Sequence, residues 1–238
     1  MHLKEDGIEA VFISDVEEAL SLTERRQPII GLEFPESTVT PPCDYVVRNP
    51  GELWYEDIEE GIFRAQDLPL FITETKRCLI REFAMSDMDE LVSLYSAPHV
   101  TDYIEPLYPY EEEKAYQRKY IDLIYKLYGF GMWLIFEKET GRLIGRAGLE
   151  MRDSCKDENQ AELGYVIHPD FQKKGYATEV CTAIIELAFE QFCMKSLVAR
   201  CNPKNVASIA TLKKLGFKST GTYFDEEELW ILNNSKVF

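Results

Sequence analysis

The segment from Ala161 to Phe189 constrains this chain more than any other stretch. An apolar strand, Glu162–Ile167, ends at His168-Pro169. Gln172, Lys173, Lys174, Gly175, Tyr176 and Ala177 then lead directly into a long helix, Gly175–Phe192, with Val180, Cys181, Ile184, Leu187 and Ala188 at helical spacing. The first N–H groups of a helix lack intrahelical partners, and the helix dipole places partial positive charge there. Phosphate suits such a terminus. Gly175 permits close backbone approach, Ala177 leaves room beside it, and Lys173 and Lys174 add positive charge. The same residues also read as an ordinary strand–turn–helix corner with a solvated lysine pair. Local physics leaves both readings open.

The remaining composition sets limits. At 238 residues the chain is long enough for one large domain or two unequal ones. Its 45% hydrophobic and 29% charged residues are those of a globular protein. A net charge of −16 disfavours a generic nucleic-acid surface and favours a cationic partner or substrate. The start, MHLKEDGIEA, does not read as a secretory signal. The apolar run Tyr128–Phe136 is too short to span a bilayer, and Cys181–Phe189 is interrupted by Glu186, so no membrane association is expected. The chain reads as soluble and cytoplasmic, with its six cysteines reduced. No C-x-x-C occurs, and His2, His99 and His168 are scattered, so no metal site is expected.

Charge is unevenly distributed. Residues 1–75 carry a net of −12 and residues 76–238 a net of −4, which suggests two units with different surfaces. The expected division is a small acidic α/β domain, 1–72, and a larger mixed α/β domain, 73–238. The first reads as β-α-β-β-α: strand Ile8–Ile13, helix Asp15–Arg26 capped by Ser14, strands Pro28–Leu32 and Tyr45–Val47, a proline-rich loop Glu33–Pro42, and helix Glu52–Ala65. The second opens with strand Arg77–Glu82 and a helix Asp87–Ser96 capped by Ser86. Helix Tyr110–Tyr128 follows, with Tyr116, Tyr120, Ile121, Ile124 and Leu127 on its apolar side. Strands Met132–Glu137, Leu143–Met151 and Ser196–Cys201, helix Asn205–Lys214, and a terminal hairpin, Phe217–Tyr223 with Leu229–Leu232, complete it.

Three features in order resemble the GNAT acetyltransferases: an opening strand at Thr75–Glu82, the Q-x-x-G-x-A turn at Gln172–Ala177, and the N-x-x-S segment Asn205–Ser208 leading to Leu215-Gly216-Phe217. The likeness covers about residues 75–235, and within the family it is greatest to ribosomal-protein N-terminal and spermidine acetyltransferases. It implies the GNAT fold, a mixed central sheet flanked by helices. It also implies acetyl-CoA as co-substrate, with no metal. The backbone of Tyr165, Val166 and Ile167 would meet the pantetheine arm near a splay in the sheet. The amides of Lys173, Lys174, Gly175, Tyr176, Ala177 and Thr178, with Gln172, would hold the pyrophosphate. The implied reaction is direct attack of an amine on the thioester in a ternary complex.

The requirements of that reaction select further candidates. An alkylammonium, with a pKa near ~10, must lose a proton before attack. The oxyanion needs a fixed donor, for which a backbone N–H near Ile167 is suited. Ser208 could donate to the departing thiolate or be a polar residue of a first helical turn, and Asn205 could touch the cofactor arm or cap the helix. Many relatives carry a tyrosine as general acid where this chain has Leu212, and some carry a glutamate where it has Arg200. Glu150, Glu162 and Glu227 are the candidate bases; each also reads as a surface charge. His168 reads as a strand-end residue before proline, and Cys201 as a core residue. Tyr103, Glu105, Tyr108 and Tyr110 with Glu111–Glu113 could form an acidic aromatic wall for an ammonium group, or a helix start rich in acids.

Residues 7–67 resemble part of a HAD-like core, but the D-x-D nucleophile is absent, so a docking or dimerisation layer is expected there rather than a phosphatase. The leading function is an N-acetyltransferase acting on a small-molecule amine or a protein N-terminus, with a homodimer left open. The alternative is a catalytically silent acyl-CoA sensor.

Overall fold

The computed structural model describes residues 2–5, 8–24, 29–33, 43, 45–48, 60–64 and 66–235. The chain divides into two compact units, 1–70 and 71–238. In the first, strands β1 (His2–Glu5), β2 (Ile8–Ile13), β3 (Ile29–Glu33) and β4 (Tyr45–Arg48) form one sheet in that order. β2, β3 and β4 run parallel, and β1 is antiparallel to β2. The opening strand β1 was not expected, because its polar sequence carries no run of apolar residues. Helix α1 (Val16–Glu24) packs Ala19 and Leu22 on Val11, Ile13 and Ile29. Its cap is Asp15 rather than Ser14: the Glu18 N–H donates to Asp15 Oδ1 at 2.8 Å. Residues 60–64 are helical; the rest of the helix expected over Glu52–Ala65, and most of the proline-rich loop, lie outside the described residues.

The second unit is built on eight strands in the order β11-β12-β10-β9-β8-β7-β6-β5. They are β5 (Phe71–Glu74), β6 (Cys78–Arg81), β7 (Met132–Glu137), β8 (Leu143–Glu150), β9 (Gln160–Ile167), β10 (Ser196–Cys201), β11 (Lys218–Phe224) and β12 (Glu227–Asn233). Among the described residues of this unit, only β9 and β10 pair in parallel; the long helix α4 (Tyr176–Glu190) makes the crossover such a pair requires. β8 is buried throughout except at its last residue, so its side chains are mostly small or apolar, with Arg146 enclosed among them. The edge strand β5 was missed, since its Pro-flanked FITE pattern reads as a linker.

Two helices precede β7. Helix α2 (Met88–Ser96) buries Met88, Leu91 and Leu94. Ser86 does not cap it but lies inside a 3₁₀ turn, Met85–Asp87. There Asp87 accepts from the Ala84 N–H at 2.7 Å and pairs with Arg81 at 2.7 Å. Helix α3 (Tyr110–Lys119) does not continue evenly to Tyr128. It passes into a π turn, Tyr120–Tyr125, before a last α turn, Lys126–Tyr128. That extra residue per turn breaks the expected apolar stripe. Tyr120, Ile121 and Tyr125 are buried, while Tyr116 is 44% and Leu127 72% exposed. Helix α5 (Val206–Lys214) precedes the terminal hairpin. Among the described residues, no helix is long and apolar enough to cross a membrane.

Candidate active site

The turn between β9 and α4 is held in an unusual backbone. Lys173 and Gly175 both have positive φ, 59° and 85°. The first helical amide to find a helical carbonyl is that of Glu179, 3.0 Å from Gly175 O. The amides of Tyr176, Ala177 and Thr178 therefore belong to the orphan donors of the helix start. A Cβ built on Gly175 would meet only Arg77, at 3.6 Å, so glycine is demanded by conformation rather than by crowding. The Gln172 side chain donates to Ile167 O at 2.9 Å and ties the turn to the strand. Tyr176 directs its hydroxyl to Glu137, with its ring 3.9 Å beneath the Arg77 guanidinium.

A latch from the opening strand fixes this turn. Glu179, in the first turn of α4, accepts from Thr75 Oγ1 (2.7 Å), the Arg77 N–H (2.9 Å) and Arg77 Nε (2.7 Å). Arg77 also donates to Lys174 O at 3.0 Å. Burial would raise the Glu179 pKa, but these hydrogen bonds and the guanidinium outweigh it and hold it below the usual carboxylate value. Sequence reasoning missed Arg77 and Glu179, which stand 102 residues apart.

Beyond this turn the sheet opens. β9 and β10 pair only over Gln160–Glu162 and Ser196–Val198, then part. β9 stays paired with β8 as far as Ile167, and β10 with β12 as far as Cys201. The β9 edge from Leu163 to Ile167, including Tyr165 and Val166, is left without a strand partner on that side. A cavity of about 770 Å³ takes lining residues from both parted strands. At its α5 end, the Tyr165 hydroxyl meets Ser208 Oγ at 2.8 Å and Ser208 O at 3.2 Å. Burial pushes the Tyr165 phenol up, so it is a neutral hydroxyl at ordinary pH. Leu212, where many GNAT relatives carry tyrosine, also lines this cavity. Asn205 caps α5 by accepting the Ser208 N–H at 3.1 Å.

The candidate carboxylates converge on the same cavity but differ in commitment. Glu150 and Glu162 face each other across β8 and β9. Such a like-charge pair requires compensation. Glu150 accepts from the Tyr120 hydroxyl at 2.9 Å and pairs with Arg152. Glu162 pairs with Arg200 at 3.0 Å and accepts from the Ser154 hydroxyl. The Glu227 side chain makes no hydrogen bond among the described residues and holds only a loose ion pair with Arg200, at 3.9 Å. Burial pushes its carboxyl above the usual value, and Glu162 and Glu105 add to the rise against the opposing pull of Arg200.

The expected aromatic wall forms in part. Of its members, Tyr103, Glu105, Tyr108 and Glu113 line the cavity, Tyr110 turns to Asp89 at 2.8 Å, and Tyr116, outside the expected wall, joins the lining. Glu113 is buried and accepts from the Tyr108 N–H and from Gln117. His168 serves as the cap of a short turn, its Nδ1 accepting from the Asp170 N–H at 3.2 Å. Cys201 is buried, which raises its thiol pKa. The described residues contain no group of His, Cys, Asp and Glu able to hold a metal.

Comparison with known proteins decides the family. The sequence model of the acetyltransferase (GNAT) domain matches residues 77–218. The chain belongs to the GNAT acetyltransferase family. An uncharacterised N-acetyltransferase of Bacillus subtilis, YnaD, is 31% identical over 150 residues, covering 63% of this chain and 84% of that protein. Another, p20 of Bacillus licheniformis, is 30% identical over 157 residues, covering 65% and 86%. Among solved structures, the ribosomal-protein-S5-alanine acetyltransferase of Vibrio fischeri shares the fold with a TM-score of 0.58 at 18% identity, covering 71% of this chain and 98% of that one. The spermidine N-acetyltransferase of Vibrio cholerae in complex with CoA and spermine gives 0.56 at 17%, covering 67% and 97%. As a GNAT protein, this chain is an acetyl-CoA-dependent acyltransferase. The likeness of residues 7–67 to a HAD-like core gains no support from these comparisons.

Proposed function

We propose that the protein acetylates a primary amine held in the cavity beside the parted strands β9 and β10. The observation that carries this reading is the parting itself. It leaves a strand edge free between a turn of orphan amides and a cavity lined by candidate acid–base groups. The amides of Lys173–Thr178 suit the pyrophosphate of acetyl-CoA, and the free backbone of Tyr165–Ile167 suits its pantetheine arm. Acetyl-CoA supplies the acetyl group as a thioester: a C–N bond forms, the C–S bond breaks, and CoA leaves as the thiol.

The chain's own residues handle the protons. Glu227, held more loosely than the other two by its 3.9 Å ion pair with Arg200 and raised in pKa by burial, takes the proton of the ammonium group. Glu150 and Glu162 are held by Tyr120, Arg152 and Arg200 and order the cavity wall. The Tyr165–Ser208 hydroxyl pair donates toward the departing sulfur. A backbone amide of β9 near Ile167 stabilises the oxyanion. The acceptor is a small-molecule amine or a protein N-terminus. Two of the similar solved structures name acceptors of these two kinds, a ribosomal-protein alanine and spermidine. All of these groups belong to the second unit, residues 71–238.

The pH profile tests this assignment. Glu227 works only when ionised, so kcat/KM should rise with pH through its raised pKa, placing the acid limb above the ordinary carboxylate value of ~4.3. The amine's own deprotonation shapes the alkaline side. Glu227→Gln should lower kcat/KM by ~10²–10⁴-fold and remove the acid limb. An unchanged profile in that variant would move the role to another group.

A further inference from the structure

Arg146 stands apart from every other charged group in the cavity. It comes from the middle of β8, between Leu134 of β7 and Val166 of β9. It is 6% exposed, yet it makes no hydrogen bond or ion pair among the described residues, and its Nε is buried without a partner. The other cations here are committed: Arg152 to Glu150, and Arg200 to Glu162. The groups whose charge or dipole reaches Arg146 include Tyr95, Tyr116, Tyr120, Tyr125 and Glu150. Glu150 does not approach it within ion-pair distance, being taken by Tyr120 and Arg152. The face of the Tyr120 ring lies 5.5 Å from the guanidinium carbon.

A guanidinium cannot shed its charge, and burying one without a partner is costly. A fold that holds such a group in the wall of a substrate cavity leaves its donors for a ligand. The guanidinium fork matches a carboxylate, which takes two parallel N–H bonds. A dianionic phosphate fits less well, because Glu105 and Glu227 line the same cavity and would repel it. Resting on the acetyltransferase reading above, we infer that Arg146 binds a carboxylate of the acceptor. The acceptor is thus an amine that carries its own carboxylate, as a free amino acid or a short acidic peptide does. A polyamine, which offers only positive charge, leaves Arg146 unpaired.

The test is a panel of free amino acids and short peptides, each paired with the amide of its carboxylate, plus phosphoethanolamine. Acetylation is read as CoA thiol release, and binding is measured separately by calorimetry on the full chain. The acid of at least one pair should exceed its amide by about 10- to 100-fold in kcat/KM and in affinity. Arg146→Gln should collapse that ratio toward one while still binding acetyl-CoA, and Arg146→Lys should restore part of it. The amino-acid and peptide arms separate the two sources of carboxylate. The proposal is overturned if no carboxylate binds better than its amide, if Arg146→Gln keeps the preference, or if phosphoethanolamine outranks every carboxylate. Because the binding arm needs no turnover, acids that bind selectively without thiol release would support Arg146 while refuting the acetyltransferase reading.

Discussion

Replacing Gly175 with valine should cost about 100-fold in affinity for acetyl-CoA and leave the protein folded. Gly175 has φ 85° and heads the helix whose amides are proposed to receive the pyrophosphate. A β-branched residue is a genuine outlier there. Strain of that kind costs about 1–3 kcal/mol of stability; relieving it turns the amides away and forfeits charge-assisted hydrogen bonds to the ligand worth about 1.5–3 kcal/mol. Each ~1.4 kcal/mol is tenfold in affinity. Gly175→Ala separates the two causes. Its Cβ would be in ordinary contact with Arg77, so strain alone remains and a smaller loss is expected. Calorimetric titration with acetyl-CoA reads both variants. Unchanged affinity in a folded Gly175→Val protein would dismiss this turn as the cradle.

The second large effect is expected at Tyr165. Tyr165→Phe removes the phenol that meets Ser208 Oγ at 2.8 Å and leaves the ring. It should lower kcat by ~10²–10³-fold with little change in acetyl-CoA affinity, the behaviour of a proton donor used only in the transition state. Ser208→Ala should fall in the same range. The double variant should lose little more than either single one, because the two hydroxyls act as a unit. Additive losses would mean separate roles. Full turnover in Tyr165→Phe would remove the phenol from the reaction.

Tyr165 also shows what a sequence discloses and what it hides. The turn at Gln172–Ala177 is local: an apolar strand, a glycine and a periodic helix declare themselves within thirty residues. Asn205 is legible for the same reason, since a cap and its amide are three residues apart. The phenol at Tyr165 is different. Its partner lies 43 residues on, and their meeting depends on β9 and β10 parting where they do. The sequence shows Leu212 in place of tyrosine; only the fold shows that Tyr165 brings a hydroxyl to Ser208, beside that position. The Glu179–Arg77 latch and the Glu162–Arg200 pair are long-range in the same sense. The π turn at Tyr120–Tyr125 escaped for another reason. A regular 3.6-residue period predicts an even apolar stripe, whereas the buried Tyr120 and Tyr125 hydroxyls both bond Met132, on its N–H and its carbonyl. Those two bonds, with close packing against Gly131, override the period.

Acetyl transfer from acetyl-CoA to an amine at the parted strands is the reaction proposed for this chain. It is tested most directly by incubating the full-length protein with acetyl-CoA and a panel of amines, and measuring free CoA thiol and N-acetylated product together. At least one amine should yield product and thiol in equal amounts, and Tyr165→Phe and Glu227→Gln should slow both equally. Tight acetyl-CoA binding with neither thiol nor product from any amine would contradict it and mark the protein as an acyl-CoA sensor.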